Sequence, residues 1–173
     1  MPVPPIYLKQ DFLAHPERLF LALRDDIQWD ERMRARKTAS FGVSYDYSQI
    51  AYPQSAMHPA LVPVCDMIEA ELGFRPNNCL VNYYEDGESS MGFHSDSSER
   101  LAENSGVAII SLGVQRPIVY RNKGDKSLEH TYELEAGSLL YMTQEMQLEW
   151  LHAIPKMPGA GERISLTFRN ILK

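Results

Sequence analysis

Three residues in the second half of the chain have the side chains and the spacing of a metal site. His94 and Asp96 are separated by one residue, and residues two apart on an extended segment share a face, so the imidazole and the carboxylate can converge. His152 lies on a later predicted strand, which a jelly roll can bring alongside the first. Two imidazoles and one carboxylate can hold a transition metal and leave positions open for reactants. The alternative is a chance H-x-D pattern with structural histidines.

The last predicted strand carries two arginines in an otherwise apolar pattern. Its alternation separates Ile164, Leu166 and Phe168 from Arg163, Ser165, Thr167 and Arg169. Arginines on such a strand are costly unless they meet anions. Six residues span about 20 Å, and two long side chains that lean together can hold a short dicarboxylate between them. Asn82 and Tyr84 alternate on an earlier strand and offer an amide and a phenol to the same anion. The alternative is two salt-bridged surface arginines and a tyrosine that only packs.

The order of these motifs resembles one enzyme family. The motifs are Asn82-Tyr-Tyr84, Asp86-Gly87, His94-Ser-Asp96, Ser111-Leu-Gly113, Gly137-Ser-Leu-Leu140, Trp150-Leu-His152, Pro155-Lys156 and Arg163-Ile-Ser-Leu-Thr-Phe-Arg169. Together they resemble the AlkB-type 2-oxoglutarate and Fe(II)-dependent dioxygenases, over residues 78–169. A weaker similarity upstream, in Arg36-Lys37, Phe41-Gly42 and Tyr45-Asp-Tyr47, resembles the nucleotide-recognition lid of that family.

The resemblance implies the cofactors and the residues that hold them. Fe(II), 2-oxoglutarate as cosubstrate and O₂ are expected, with His94, Asp96 and His152 as the iron ligands. The distal carboxylate of 2-oxoglutarate is assigned to Asn82, Tyr84 and Arg163, with Ser165 on the same strand face, and Arg169 is placed near its keto-acid end. Arginine suits such roles because its planar fork binds a carboxylate bidentately.

The resemblance also implies a substrate site. Tyr47 and His94 fall where family members sandwich an extruded base, Tyr45 falls where a polar contact to that base is made, and Arg36 belongs to the basic lid segment. Nucleic-acid demethylases of the family carry an acidic residue two positions after the ligand aspartate, which favours cationic methylated bases. Ser98 occupies that position here, and Glu99 follows it.

Charge and composition limit the partners. The 173 residues contain 17 basic and 23 acidic residues, a net charge of −6, which argues against a wholesale polyanion binder. Two basic clusters, Arg32, Arg34, Arg36 and Lys37, and Arg116, Arg121, Lys123 and Lys126, are either solvated faces or phosphate contacts. Two cysteines in apolar surroundings, no membrane-length apolar run and no signal-peptide pattern predict a cytoplasmic protein with reduced thiols. We expect a monomer.

The pattern predicts an α+β, mainly β protein with a double-stranded β-helix (jelly-roll) core and two N-terminal supporting helices. We expect a single domain, 1–173, in which residues 1–77 form an extension with the helices and the lid and residues 78–173 form the core. One helix starts at Pro16 and stops before Trp29, and the other runs from about Leu61 to Gly73. Residues 31–47 are expected to be hairpin-like, and about eight short strands follow Gly73.

Three functions compete at this point. The first is oxidative demethylation of N-alkylated bases in DNA or RNA. The second keeps the dioxygenase chemistry but acts on a small molecule, a free nucleotide or a protein side chain. The third, a non-catalytic binding module that retains the barrel, is disfavoured because the full set of candidate ligands and arginines is present.

Overall fold

The computed structural model describes residues 2–47 and 49–172. Within this part of the chain, strands dominate and the helices lie mainly before residue 73. The strands are β1 (Ile6–Lys9), β2 (Lys37–Gly42), β3 (Tyr45–Tyr47), β4 (Ile50–Tyr52), β5 (Asn78–Tyr84), β6 (Met91–His94), β7 (Val107–Gly113), β8 (Arg116–Asn122), β9 (Glu129–Leu134), β10 (Leu139–Met142), β11 (Trp150–Ile154) and β12 (Arg163–Arg169). The helices are α1 (Pro16–Asp26), a 3-10 turn (Pro59–Leu61), α2 (Val62–Leu72) and α3 (Gln144–Glu149).

Two antiparallel sheets enclose the interior. The larger has the strand order β1-β10-β7-β12-β5-β2, and the smaller has the order β6-β11-β8-β9. Apolar side chains from both sheets, among them Ile109, Leu140, Ile118 and Trp150, form one core cluster between them. The predicted mainly β jelly-roll core is therefore confirmed.

Strand β12 shows why the site lies inside the barrel. Ile164, Leu166 and Phe168 join a second core cluster on the outer face of the large sheet, where α1 and α2 pack. Because successive side chains point to opposite faces, Arg163, Ser165, Thr167 and Arg169 line the interior cavity. Both faces of β12 are buried, so the two arginines are enclosed as the sequence pattern predicts.

The two supporting helices form where the sequence predicts them. Pro16 and Glu17 lie in the first turn of α1, and Phe20 and Leu23 are buried on its inner face. The left-handed residue after α2 is Gly73, with a φ of 82°, a conformation that glycine adopts without steric cost. No helix in the described part of the chain combines the length and the apolar character needed to cross a membrane.

Three segments differ from the sequence prediction. The hairpin consists of β3 and β4, while residues 31–36 form no strand and β2 pairs with the distant β5. The segment before residue 78 also supplies both edges of the large sheet, since β1 pairs with β10. Helix α3 was not predicted, because six residues are too few to show a helical period. The side chain of Thr143 caps it by accepting a hydrogen bond from the Met146 backbone N–H.

Candidate active site

Strands β6 and β11 bring the predicted metal ligands together. The strands are antiparallel with His94 directly opposite His152, and the two ring centroids are 4.3 Å apart. Asp96 lies two residues beyond the end of β6. Its Oδ1 is 3.6 Å from His94 Nε2, and its Oδ2 is 3.5 Å from His152 Nε2. One ligand atom from each residue lies within 4.8 Å of the others, so the three can hold one metal ion.

The surroundings of Asp96 keep its carboxylate ionised. Burial would raise the pKa of this carboxyl, but hydrogen bonding with His152 and His94 and the charge of Arg169 outweigh that effect and hold the pKa well below its usual range. Arg169 Nη2 donates to Asp96 Oδ1 over 3.2 Å. A carboxylate is the form that binds metal, so the site favours a cation between the two imidazoles.

A pocket of hydrogen-bond donors lies beside the metal ligands. In the register of β12 and β5, Arg163 faces Tyr84 and Ser165 faces Asn82. Arg163 is 1% exposed, and its Nη2 donates to Ser111 Oγ over 2.9 Å. Within residues 2–47 and 49–172, no acceptor meets its Nε and Nη1, the Asn82 Nδ2 or the Tyr84 hydroxyl. Buried donors without acceptors fit an anion, so the pocket suits one carboxylate of 2-oxoglutarate.

Arg169 occupies the other end of the same strand face. It is buried, its guanidinium lies 4.8 Å from the Tyr45 ring centroid, and one of its nitrogens reaches Asp96. Its Nε and Nη1 likewise meet no acceptor in the described residues. One arginine at each end of the cavity gives a dicarboxylate two cationic anchors, with Ser165 and Thr167 lining the wall between them.

Arg36 is buried, whereas Arg32 and Arg34 of the same basic segment are exposed. Its Nε donates to Asn82 Oδ1 over 2.8 Å, its Nη1 donates to the Ser90 carbonyl over 2.9 Å, and its Nη2 donates to the Tyr47 hydroxyl. The bond to Oδ1 fixes the Asn82 amide, so that Nδ2 faces the cavity as a donor. The structure therefore places Arg36 as a support for both Asn82 and Tyr47, away from phosphate contact.

Removing this support gives a first prediction. In Arg36→Met the Asn82 amide can rotate, and a carboxylate acceptor loses a fixed donor that is worth about 1.5–3 kcal/mol. We expect the KM for 2-oxoglutarate to rise about 10–100-fold in initial-rate assays of succinate formation. Arg34→Met, an exposed neighbour, is the control. If the KM of Arg36→Met equals that of Arg34→Met, the Asn82 amide does not need the hydrogen bond from Arg36 to bind the carboxylate.

The two lid tyrosines stack at the mouth of the site. Tyr45 and Tyr47 lie on β3 with ring centroids 6.2 Å apart and an interplanar angle of 19°. They line one cavity with His94 and Asp96. Ser98, predicted as a substrate contact, is half-buried, and its carbonyl accepts from the Leu101 backbone N–H. It does not line this cavity, whereas Ser97 does.

The second basic cluster is largely committed to structural contacts. Arg116 is 0% exposed, so for this residue both alternatives, a solvated face and a phosphate contact, are wrong. It donates to the Ser89 and Pro155 carbonyls over 2.9 and 2.7 Å, and its guanidinium lies 5.5 Å from the Tyr84 ring centroid. Arg121 pairs with Glu129. The argument applied to Arg163, an arginine on an apolar strand, could have identified Arg116 as a buried residue behind the carboxylate pocket.

Comparisons with known proteins agree with this geometry. The family model of the 2OG-Fe(II) oxygenase superfamily matches residues 22–169. DNA oxidative demethylase ALKBH2 of Bos taurus is 32% identical over 148 residues, 79% of this chain and 53% of the relative. Alpha-ketoglutarate-dependent dioxygenase alkB homolog 3 of Homo sapiens is 32% identical over 160 residues, 86% of this chain and 55% of the relative. The chain thus spans about half the length of these curated relatives.

A solved structure supports the same fold. The structure of OsALKBH1 superposes with a TM-score of 0.72 at 18% sequence identity, over 98% of this chain and 100% of that one. The resemblance to AlkB-type proteins is confirmed by the named relatives, and Fe(II), 2-oxoglutarate and O₂ are the cofactors that the matched family uses. By the match over residues 22–169, the chain belongs to the 2OG-Fe(II) oxygenase superfamily.

Proposed function

We propose that the protein is a 2-oxoglutarate- and Fe(II)-dependent dioxygenase that removes N-alkyl groups from bases in DNA or RNA. The observation that carries the proposal is the convergence of three parts on one interior space. These are the histidine-carboxylate ligand set, the donor-only carboxylate pocket and the stacked tyrosines of the lid. The name of the ALKBH2 relative, a DNA oxidative demethylase, supports the same reaction, and the name of alkB homolog 3, an alpha-ketoglutarate-dependent dioxygenase, supports the cosubstrate chemistry.

Each part of the site has a distinct task. His94, Asp96 and His152 would hold Fe(II), and Arg163, Asn82 and Tyr84 would hold the distal carboxylate of 2-oxoglutarate. Arg169 places positive charge next to Asp96 and would attract the keto-acid end of the cosubstrate. When bound together, Fe(II) and 2-oxoglutarate supply the oxidation of a C–H bond by O₂.

The overall reaction balances without another reductant. An N–CH₃ group, 2-oxoglutarate and O₂ give N–CH₂OH, succinate and CO₂, with one oxygen atom going to each organic product. The hydroxymethyl group then breaks its C–N bond and leaves as formaldehyde, while the electron pair of that bond stays on the nitrogen. The hydroxyl proton goes to the nitrogen of a neutral base, or to solvent when the alkylated base is cationic. The protein contributes orientation and an enclosed space, because apolar side chains line the cavity: Leu80, Ile109, Ile118, Leu134 and Ile154.

The lid offers a surface for a base. Tyr47 and His94 line the same cavity, and an aromatic ring and an imidazole are suitable for stacking on the two faces of a base. A polar contact from Tyr45 beside Tyr47 would add recognition of the base edge. Stacking on aromatic side chains is the general way in which proteins hold unpaired bases.

One observation favours the alternative substrate, a small molecule, a free nucleotide or a protein side chain. Several basic residues near the lid and the β8–β9 hairpin are paired with carboxylates: Arg32 with Asp30, Lys37 with Glu31 and Glu85, and Arg121 with Glu129. Residues paired in this way offer less charge to a phosphate backbone, and the net charge of −6 acts in the same direction.

Salt dependence of oligonucleotide binding separates these substrates. We expect the affinity for a methylated oligonucleotide to fall with salt. Arg34→Ala, which removes an exposed arginine of the lid segment, should reduce the slope of log K against log [salt] by about 0.7–0.9. Tyr47→Ala should weaken binding by about 1–3 kcal/mol if the ring stacks on a base. Tyr7→Ala, an exposed tyrosine on β1, is the matched control.

The alternative makes a different prediction for the same measurements. A small-molecule or protein hydroxylase gives a flat salt response, and Tyr47→Ala then binds the oligonucleotide no differently from Tyr7→Ala. That outcome, together with 2-oxoglutarate turnover that no oligonucleotide stimulates, would contradict a nucleic-acid substrate. It would favour hydroxylation of a small molecule, a free nucleotide or a protein side chain instead.

A further inference from the structure

Helix α3 places a glutamine directly against the metal-ligand carboxylate. Gln147 is 4% exposed. Its Oε1 accepts a hydrogen bond from the Asp96 backbone N–H over 2.9 Å, and its Nε2 donates to Asp96 Oδ2 over 3.3 Å. One side-chain amide therefore holds both the backbone and the carboxylate of the same residue. Gln147 does not line the cavity that contains the three ligands, so it can act only through Asp96.

The backbone contact fixes which amide atom faces the carboxylate. A backbone N–H can bond only to the amide oxygen, so the Gln147 nitrogen must point toward Asp96 Oδ2. Arg169 donates to the other oxygen, Oδ1, over 3.2 Å. In addition to the histidine that faces it, each carboxylate oxygen therefore accepts a hydrogen bond from a residue outside the ligand set, and these two bonds set the plane of the carboxylate from both sides.

This contact matters because Asp96 lies outside the sheet. Strand β6 ends at His94, and residues 95–98 belong to no strand or helix. His94 and His152 are positioned by the β6–β11 ladder, whereas the third ligand depends on side-chain contacts. Gln147 forms hydrogen bonds with both the backbone N–H and the carboxylate of Asp96.

Helix α3 is itself anchored at both ends. Gln144 Nε2 donates to the Ala102 and Ser105 carbonyls over 3.0 and 2.6 Å. At the other end, Lys123 Nζ donates to the Gln147 carbonyl over 2.8 Å. The short helix thus provides a fixed platform for the amide of Gln147.

We propose that Gln147 is a positioning residue for the metal site, which sets the orientation of the Asp96 carboxylate and thereby the affinity and geometry of the bound metal. The proposal rests on the proposed function, since it requires that His94, Asp96 and His152 bind a metal ion. Hydrogen-bonded partners of metal ligands generally change metal affinity by about 10–100-fold when they are removed, and we expect a loss of that size here.

The experiment uses Co(II) as the metal probe and the full chain in the absence of 2-oxoglutarate. Titration calorimetry gives the affinity, and the visible absorption of bound Co(II) reports the ligand geometry. We expect Gln147→Leu to bind Co(II) about 10–100-fold more weakly than wild type with an altered spectrum. Gln147→Glu retains an acceptor for the Asp96 N–H but places a charge against its carboxylate, so it should also change the spectrum. Leu148→Ala, at an exposed position of the same helix, should bind Co(II) as wild type does.

The possible outcomes distinguish a failure of the proposed metal site from a failure of the role proposed for Gln147. Wild-type protein that does not bind Co(II) would overturn the metal site and with it the proposed function. Wild-type affinity and spectrum in both Gln147 variants would overturn the role of Gln147 alone. An equal loss in Leu148→Ala would assign the effect to a general perturbation of α3 and would also overturn it. If Gln147→Leu does not fold by circular dichroism, Gln147→Glu decides the question.

Discussion

His152→Ala should reduce 2-oxoglutarate consumption to background. His152 is 2% exposed, lies opposite His94 in the β6–β11 ladder, and places Nε2 next to Asp96. Its removal leaves two of three protein ligands, and a bound metal contributes several kcal/mol to catalysis. That contribution corresponds to a fall in rate on the order of 10²–10³. Succinate formation, measured by chromatography, is the readout.

His15→Ala provides the matched control for this prediction. The His15 side chain is 63% exposed and its nearest carboxylate is 3.9 Å away, so its removal should leave the rate unchanged. Circular dichroism separates loss of a ligand from loss of the fold. A folded His152→Ala protein that retains the wild-type rate would remove this residue from the site.

Arg163→Lys should raise the KM for 2-oxoglutarate by about 10–100-fold, the range that corresponds to losing a charged hydrogen bond of about 1.5–3 kcal/mol. The planar guanidinium can donate two parallel hydrogen bonds to a carboxylate, whereas the ammonium of lysine is a point charge. Burial lowers the pKa of Arg163, so a bound carboxylate also relieves an enclosed charge. Initial rates at varied 2-oxoglutarate give KM and kcat separately.

The expected signature is a rise in KM with a smaller change in kcat, because the distal carboxylate does not react. Arg75→Lys, at an exposed ion pair beyond α2, should leave both constants unchanged. An unaltered KM in Arg163→Lys would assign the distal carboxylate to another group, and the buried Arg116 would then be the first residue to test.

Local patterns were sufficient to predict the parts of the site that lie on regular strands. The alternation in residues 163–169 separates the apolar face from the arginine face, and the one-residue spacing of His94 and Asp96 predicts their convergence. The sequence predicted only that a jelly roll can bring the strand of His152 alongside that of His94, and the structure pairs the two residues directly, because antiparallel sheets bring distant strands into register. On β6, β11 and β12 the period of the strand determines the direction of the side chain, whereas Asp96 lies beyond the end of β6 and is positioned by side-chain contacts.

The supporting roles that the sequence did not reveal depend on contacts between distant segments. Arg36 reaches Asn82, which is 46 positions away, and Gln147 reaches Asp96, which is 51 positions away. Neither pair shows in a local pattern, and α3 is too short for its period to predict a helix. Ser97 lines the cavity at the lid and Ser98 does not, a difference that the sequence could not predict because the loop after β6 has no alternation that fixes which side chain faces the cavity.

The most direct test of the central claim measures two products of one reaction. The protein is loaded with Fe(II) and 2-oxoglutarate without oxygen, and O₂ is then admitted with a methylated oligonucleotide or with its unmethylated counterpart. Coupled demethylation predicts succinate and formaldehyde in equal amounts with the methylated strand, and little of either product with the unmethylated one. Succinate that forms at the same rate with both strands and without formaldehyde would contradict the account.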